Sequence, residues 1–301
     1  MDIFNFFGSL LGYIFFYLWE FTNNYGIAII LITFVLILIS FPSSLKQHKS
    51  MIRSTKFAKK QAEIRKMYAK NPSKQQEEMM KLNEREGINP MGGCLTSILP
   101  LIFFSGLFCM LSYPLSNVFH FDGNKINQAI EVLKNSADLE AFFNTRYQQL
   151  DVVRTAAQFP DQFTMFTSGE LELIKLFNSS TKFIGLDLLC SPRVNPGVLW
   201  IIPTLSGLTG IVQGVISMKM GSSTQQLNKG CSVAQLVLIP LLFAWFTIPA
   251  PAALGIYYIT SNLLRCIQSV IMYKMYNPRK VSALQEAARI ALRVEQEKNI
   301  K

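Results

Sequence analysis

Five stretches of this sequence are apolar without alternation, at residues 25–42, 94–114, 198–218, 231–249 and 252–273. Each lies close to the roughly 20 helical residues that cross a hydrocarbon layer about 30 Å thick. Strands of a membrane barrel would alternate polar and apolar residues, and these stretches do not. A helix satisfies its own backbone groups where no water can, so helices are the form expected here. The composition agrees, with 50% hydrophobic and 16% charged residues, against about 25% charged in soluble domains. The fold class expected is an all-α polytopic membrane protein with five transmembrane helices.

Charge sets the orientation. Residues 46–86 hold twelve Lys/Arg and five Asp/Glu, and basic loops stay on the cytoplasmic side. Residues 115–197 hold seven basic and nine acidic residues, whereas the tail from Lys274 holds seven basic and three acidic ones. Five spans then place the N-terminus outside and the C-terminus inside. The expected order is an external interfacial helix (1–24), span one (25–42), a cytoplasmic helical hairpin (43–90), span two (91–114) and an external region (115–197). Span three (198–218), a cytoplasmic loop (219–230), span four (231–249), span five (252–273) and a basic cytoplasmic tail (274–301) follow.

Residues 3–20 are rich in Phe, Leu and Tyr and have no basic residue before Lys46. They read as a helix in the outer interface, with a sixth span as the alternative. In the hairpin, Asn71-Pro72 splits the helical pattern, because Asn caps a helix and Pro suits its first turn. Met51, Met67, Met79 and Met80 lie among its charges. They either fill gaps in the hairpin's own contact or offer an adaptable surface to varied apolar segments. The tail reads as a surface helix, a basic arm for ribosomal RNA or a solvated end.

The five cysteines form no CxxC, and there is no His/Cys cluster. Neither a disulfide framework nor a metal site follows. Spans two to five contain no His, Asp or Glu, so no catalytic residue, no enzyme activity and no cofactor is expected.

Several segments together resemble the YidC family of insertases, which has members in bacteria, mitochondria and chloroplasts. They are Tyr25-Gly26-Ile27-Ala28-Ile29-Ile30, Phe41-Pro42-Ser43-Ser44-Leu45-Lys46-Gln47, Asn89-Pro90-Met91-Gly92-Gly93-Cys94-Leu95, Gly185-Leu186-Asp187-Leu188, Trp200-Ile201-Ile202-Pro203-Thr204-Leu205-Ser206-Gly207-Leu208-Thr209 and Pro251-Ala252-Ala253-Leu254-Gly255-Ile256-Tyr257-Tyr258-Ile259-Thr260-Ser261-Asn262. The likeness covers about residues 20–280 and is to the short form common in Gram-positive bacteria. It implies a multi-pass protein of the bacterial cell membrane, whose helices enclose a hydrophilic groove open to cytoplasm and lipid. The implied partners are nascent membrane proteins and lipids, with the Sec translocon and the ribosome as further ones. No cofactor is implied.

Arg265, Gln213, Thr33, Ser97, Thr209, Asn262 and Gln268 are the candidates to line such a groove, and the four methionines are the candidates for client contact on the hairpin. Ser and Thr in membrane helices also bond to their own backbone or to a neighbouring helix. Gln213, Asn262, Arg265 and Gln268 are costlier in lipid and expected to face a wet interior.

The sequence departs from the family in one respect. The family's arginine in the first span maps to Ile37, and this span carries no charge. Counted at 1.5 Å per residue, Ile37 lies about 18 Å and Arg265 about 20 Å from the outer ends of their spans. Arg265 therefore either replaces the missing cation or snorkels to cytoplasmic headgroups. A solute transporter or channel is the alternative function. Against it stand the odd number of spans and the lack of a visible repeat.

The orientation makes a direct prediction. In a cysteine-free background, a membrane-impermeant maleimide added to intact cells should label Asp161→Cys and spare Lys60→Cys. Labelling of position 60 from outside would overturn the topology.

Overall fold

The computed structural model describes residues 2–69, 71–85, 92–136, 146–220, 229–276 and 290, with side chains from residue 50 to 62, 83 to 101 and 221 to 235 left aside. The chain is mostly helical and forms two compact units. The first comprises Met1–Ile39, Ser97–Gly210 and Leu238–Asn262, and the second Ser40–Thr96, Ile211–Val237 and Leu263–Lys301. The helices, in order, are α1 (Asp2–Thr22), α2 (Tyr25–Met67), α3 (Pro72–Arg85), α4 (Gly92–Ser112), α5 (Pro114–Asn117), α6 (Gly123–Asn135), α7 (Gln148–Gln158), α8 (Ser168–Ser180), α9 (Ile201–Lys219), α10 (Lys229–Thr247) and α11 (Ala252–Met275). A small hairpin of β1 (Lys182–Phe183) and β2 (Leu186–Asp187) follows α8.

Among the described residues, two helical segments are long and apolar enough to cross a membrane, Tyr25–Lys49 and Val198–Lys219. The apolar parts described in α4 and α10, Ile102–Ser112 and Leu236–Thr247, are shorter. α11 has the length, at 24 residues, but Asn262, Arg265 and Gln268 lower its hydropathy.

The segment read as the first span and the segment read as the first hairpin helix are one continuous helix of 43 residues, with Pro42 inside it. A proline inside a helix loses one backbone bond and crowds the preceding turn. Here the helical residues on both sides carry the chain through. The break expected at Asn71-Pro72 is present. Asn71 Oδ1 accepts from the Lys74 N–H at 3.2 Å, Pro72 starts α3, and the Asn71 N–H donates to the Tyr68 carbonyl at 3.0 Å.

In the first unit, α1 turns Leu11, Phe15 and Trp19 inward at a spacing of four. Tyr13, Tyr17 and Phe21 stay exposed on its other side. Gly12 lets α1 lie against the α5 backbone, since a Cβ there would collide with the Asn117 carbonyl. Trp19 Nε1 donates to Ser180 Oγ at 2.7 Å. Its ring meets Phe119 and Phe177 edge to face, at 5.7 and 5.4 Å between centroids, a favourable arrangement of ring quadrupoles. Tyr25 joins the cluster against Phe15 and Phe177.

The residues expected to lie outside fold as packed helices. Asp122 caps α6 by accepting from the Asn124 N–H at 3.0 Å. Thr167 and Glu170 form a reciprocal capping box on α8, satisfying two end donors at once. Lys125 of α6 donates to both Glu170 oxygens at 2.9 and 2.8 Å, tying the two helices together. In the β hairpin, Ile184 and Gly185 both have positive φ, as a two-residue type I′ turn requires. Asp187 accepts from the Leu189 N–H at 3.0 Å and the Cys190 thiol at 3.2 Å. Burial, and then the neighbouring Asp187 charge, push the Cys190 thiol up to about 11.

Glu170 supplies a test. Burial pushes its carboxyl up, but the bonds from Lys125 and Thr167 outweigh that and hold it below its ordinary value. Its stabilising contribution is therefore complete above the unfolded carboxyl pKa of about 4.3 and is lost as pH falls through the lower folded value. Glu170→Gln should lower the melting temperature at pH 7 by about 2–4 °C, corresponding to roughly 1 kcal/mol. Melting curves of the two proteins should converge by about pH 3.

Candidate functional site

The polar residues of the long helices fall into three structural classes. Thr33 is the simplest. It is 1% exposed, and its hydroxyl donates to the Ile29 carbonyl of its own helix at 2.6 Å. Helical threonines commonly satisfy themselves this way.

Asn262 and Thr209 form the second class. Asn262 Nδ2 donates to the Ser206 carbonyl at 3.3 Å and to Thr209 Oγ1 at 3.2 Å. Thr209 in turn donates to the Leu205 carbonyl at 2.7 Å. This is a polar tie between α9 and α11. Close approach supports it, because a Cβ on Gly210 would lie 3.0 Å from the Pro240 Cβ and 3.5 Å from Asn262 Nδ2.

The third class surrounds a cavity of about 110 Å³ within the second unit. α2 contributes Ser44, Gln47 and His48, α9 contributes Gln213 and Ser217, and α11 contributes Arg265, Gln268, Ser269 and Met272. Only Met272 has a side chain without a conventional hydrogen-bonding group. The spacings explain the convergence. Positions 44, 47 and 48, positions 213 and 217, and positions 265, 268, 269 and 272 each follow the three-and-four rhythm of one helix face. Gln213 Nε2 donates to Ser217 Oγ at 2.9 Å, and Ser217 Oγ lies 3.5 Å from Ser269 Oγ. His48, Gln268 and Ser269 are 1%, 6% and 4% exposed. Gln268 Nε2 is buried without a hydrogen-bond partner.

Of the seven groove candidates, Gln213, Arg265 and Gln268 meet at this cavity. Thr33, Thr209 and Asn262 belong to the first unit, with the bonds just given. Ser97 lies in α4, but its side chain is outside the described residues, as is that of Met51. On the hairpin Met67 and Met80 are exposed, at 69% and 59%, and Met79 is half-buried. The basic tail, apart from Ile290, and the loop at 221–228 lie outside the described residues.

Ser44, Gln47, His48, Ser217 and Ser269 complete the cavity and escaped the sequence reading. The signal was available in α11, where Ser269 and Met272 continue the stripe begun by Arg265 and Gln268. In α2 it was hidden by the assumption that the helix face ends at Pro42.

The chain's sequence matches the profile of the 60Kd inner membrane protein family over residues 17–280. It is similar to a protein of Caldanaerobacter subterraneus subsp. tengcongensis described as membrane protein insertase YidC, with 24% identity over 264 residues, 88% of this chain and 92% of that one. A protein of Helicobacter pylori with the same description is 25% identical over 264 residues, which is 36% of its length. One from Brucella suis is 39% identical over 95 residues, 32% of this chain and 16% of that protein.

The first two classes predict different mutational costs. An interhelical hydrogen bond in a membrane is worth about 0.6 kcal/mol on average and at most about 1.7. Asn262→Leu should therefore destabilise the reconstituted protein by about 1 kcal/mol in reversible unfolding. Thr33→Val, which removes a bond within one helix, should cost clearly less.

Proposed function

Because this chain belongs to the 60Kd inner membrane protein family, we propose that it is a membrane protein insertase that moves client helices from the cytoplasm into the bilayer. In this reading it is a multi-pass protein of a bacterial cell membrane with five spans, the hairpin and tail being cytoplasmic and residues 115–197 external. The observation that carries the proposal is the polar cavity at Arg265 and Gln268, where α9 and α11, otherwise largely apolar, meet the turn of α2 just past Pro42. A polar cavity offers a client's hydrophilic segment a shorter apolar distance to cross. It also explains how an arginine is tolerated, since a charge at the centre of a lipid-facing helix costs about 2.5–3.5 kcal/mol on insertion scales.

The client's apolar helix would leave along exposed greasy faces. Leu238, Leu241, Leu242, Trp245 and Phe246 of α10 are candidates, being exposed and apolar. Met67 and Met80 of the hairpin are suited to first contact, because a flexible thioether repacks against varied partners. Nascent membrane proteins and lipids are the partners in this proposal. The Sec translocon and, through the basic tail, the ribosome are further ones. The family match favours this function over a solute transporter.

Reconstitution into liposomes tests the proposal. The purified protein should insert a small single-span client to a protease-protected position without supporting net solute flux. Flux without insertion would instead favour a transporter. Removal of residues 50–84 should leave a folded membrane protein with insertion reduced about tenfold. Normal insertion per molecule after that deletion would remove the hairpin from client capture.

A further inference from the structure

One amide donor at the second unit's cavity has no acceptor. Gln268 is 6% exposed, lines the cavity, and its Nε2 group makes no hydrogen bond. Buried polar groups in native proteins are nearly always paired, so an acceptor belongs within its reach. The lining also holds the Arg265 guanidinium and the His48 ring, and among the described residues it contains no carboxylate. An amide donor, a cation and hydroxyls with no acid among them are the complement of an oxyanion.

The size and the place of the cavity narrow the choice. A volume of about 110 Å³ holds roughly three or four waters at about 30 Å³ each, or one compact tetrahedral anion. On α2 the lining residues Ser44, Gln47 and His48 stand just past Pro42, where the apolar run ends and Lys46 and Lys49 begin. Lys46 and Lys49 are exposed, and the Lys49 ammonium lies 4.2 Å above the Tyr276 ring. Lysine and tyrosine together mark the headgroup level of a membrane helix.

We propose that this cavity receives a phosphate oxyanion, supplied by the headgroup of a cytoplasmic-leaflet phospholipid. Gln268 Nε2 and the Arg265 guanidinium donate to it, and its acyl chains remain in the bilayer. The inference rests on the insertase reading for its orientation. It names the resting occupant of the same cavity, which a client must displace.

The test uses the full-length protein, delipidated in detergent, with native mass spectrometry and phosphorus NMR as readouts. Dioleoyl phosphatidylglycerol should be retained at least tenfold better than dioleoylglycerol, which has the same chains and no phosphate. Gln268→Leu and Arg265→Gln should each reduce that retention about tenfold, while Gln268→His, which keeps a donor, should restore part of it. Variants are compared at equal helix content by circular dichroism, and Ser269→Ala serves where Gln268→Leu does not fold. Competition by millimolar inorganic phosphate would support the oxyanion site and assign it to free phosphate. Equal retention of the two lipids, or retention unchanged in both Gln268→Leu and Arg265→Gln, would overturn the proposal. So would retention of a glutamate-bearing client peptide, lost in Gln268→Leu and Arg265→Gln, by a protein that shows no preference between the two lipids, which would make the site one for client carboxylates. Client insertion is scored separately in liposomes. Insertion without lipid selectivity removes only the phosphate site, and lipid selectivity without insertion removes only the insertase function.

Discussion

A polar atom placed among apolar helices must find a partner, because no solvent is there to supply one. That requirement sorts the polar side chains of this chain. Thr33 turns back on the Ile29 carbonyl of its own helix and asks nothing of its neighbours. Asn262 reaches from α11 to Ser206 and Thr209 of α9, so its satisfaction fixes two helices together. Gln213, Arg265 and Gln268 line a cavity, where Gln213 bonds Ser217 of its own helix and Gln268 Nε2 is buried without a hydrogen-bond partner. Only this last arrangement creates a surface on which a ligand can act.

The helix α2 passes through Pro42. The proline removes the backbone donor to the Leu38 carbonyl, and its ring crowds the turn before it. In the next turn the Ser44 hydroxyl donates to the Ser40 carbonyl at 3.0 Å, so that serine is satisfied within its own helix. Continuity through this point keeps Ser44, Gln47 and His48 on one face.

Much of the fold was legible in the sequence because the signals were local. The apolar stretches at 25–42 and 198–218 lie within helices long and apolar enough to span. Asn71-Pro72 capped α3, which formed where the pattern placed it. The interior of residues 115–197 was less legible. Its stability comes from pairs distant in sequence, such as Lys125 with Glu170 and Trp19 with Ser180, which no periodicity announces. The cavity was half legible. Arg265, Gln213 and Gln268 could be chosen by their cost in lipid, whereas Ser217 and Ser269 are cheap in a helix and carried no such mark. Thr33 was chosen on residue type alone, and residue type does not say whether a hydroxyl looks outward or back along its own helix.

The resemblance places a first-span arginine at the position held here by Ile37, and the surroundings of Ile37 and Arg265 differ in polarity. Ile37 is 9% exposed in a unit whose core is Ile29, Ile32, Leu36 and similar residues. A guanidinium at such a position needs water or acceptors that apolar neighbours do not offer. Arg265 stands on a stripe with Gln268 and Ser269 and shares its cavity with Gln47, His48 and Gln213. There Arg265 has polar company from three helices, which lowers the desolvation cost of a buried cation. A cation is tolerated where neighbouring faces are polar at the same helical spacing, and α11 meets that condition.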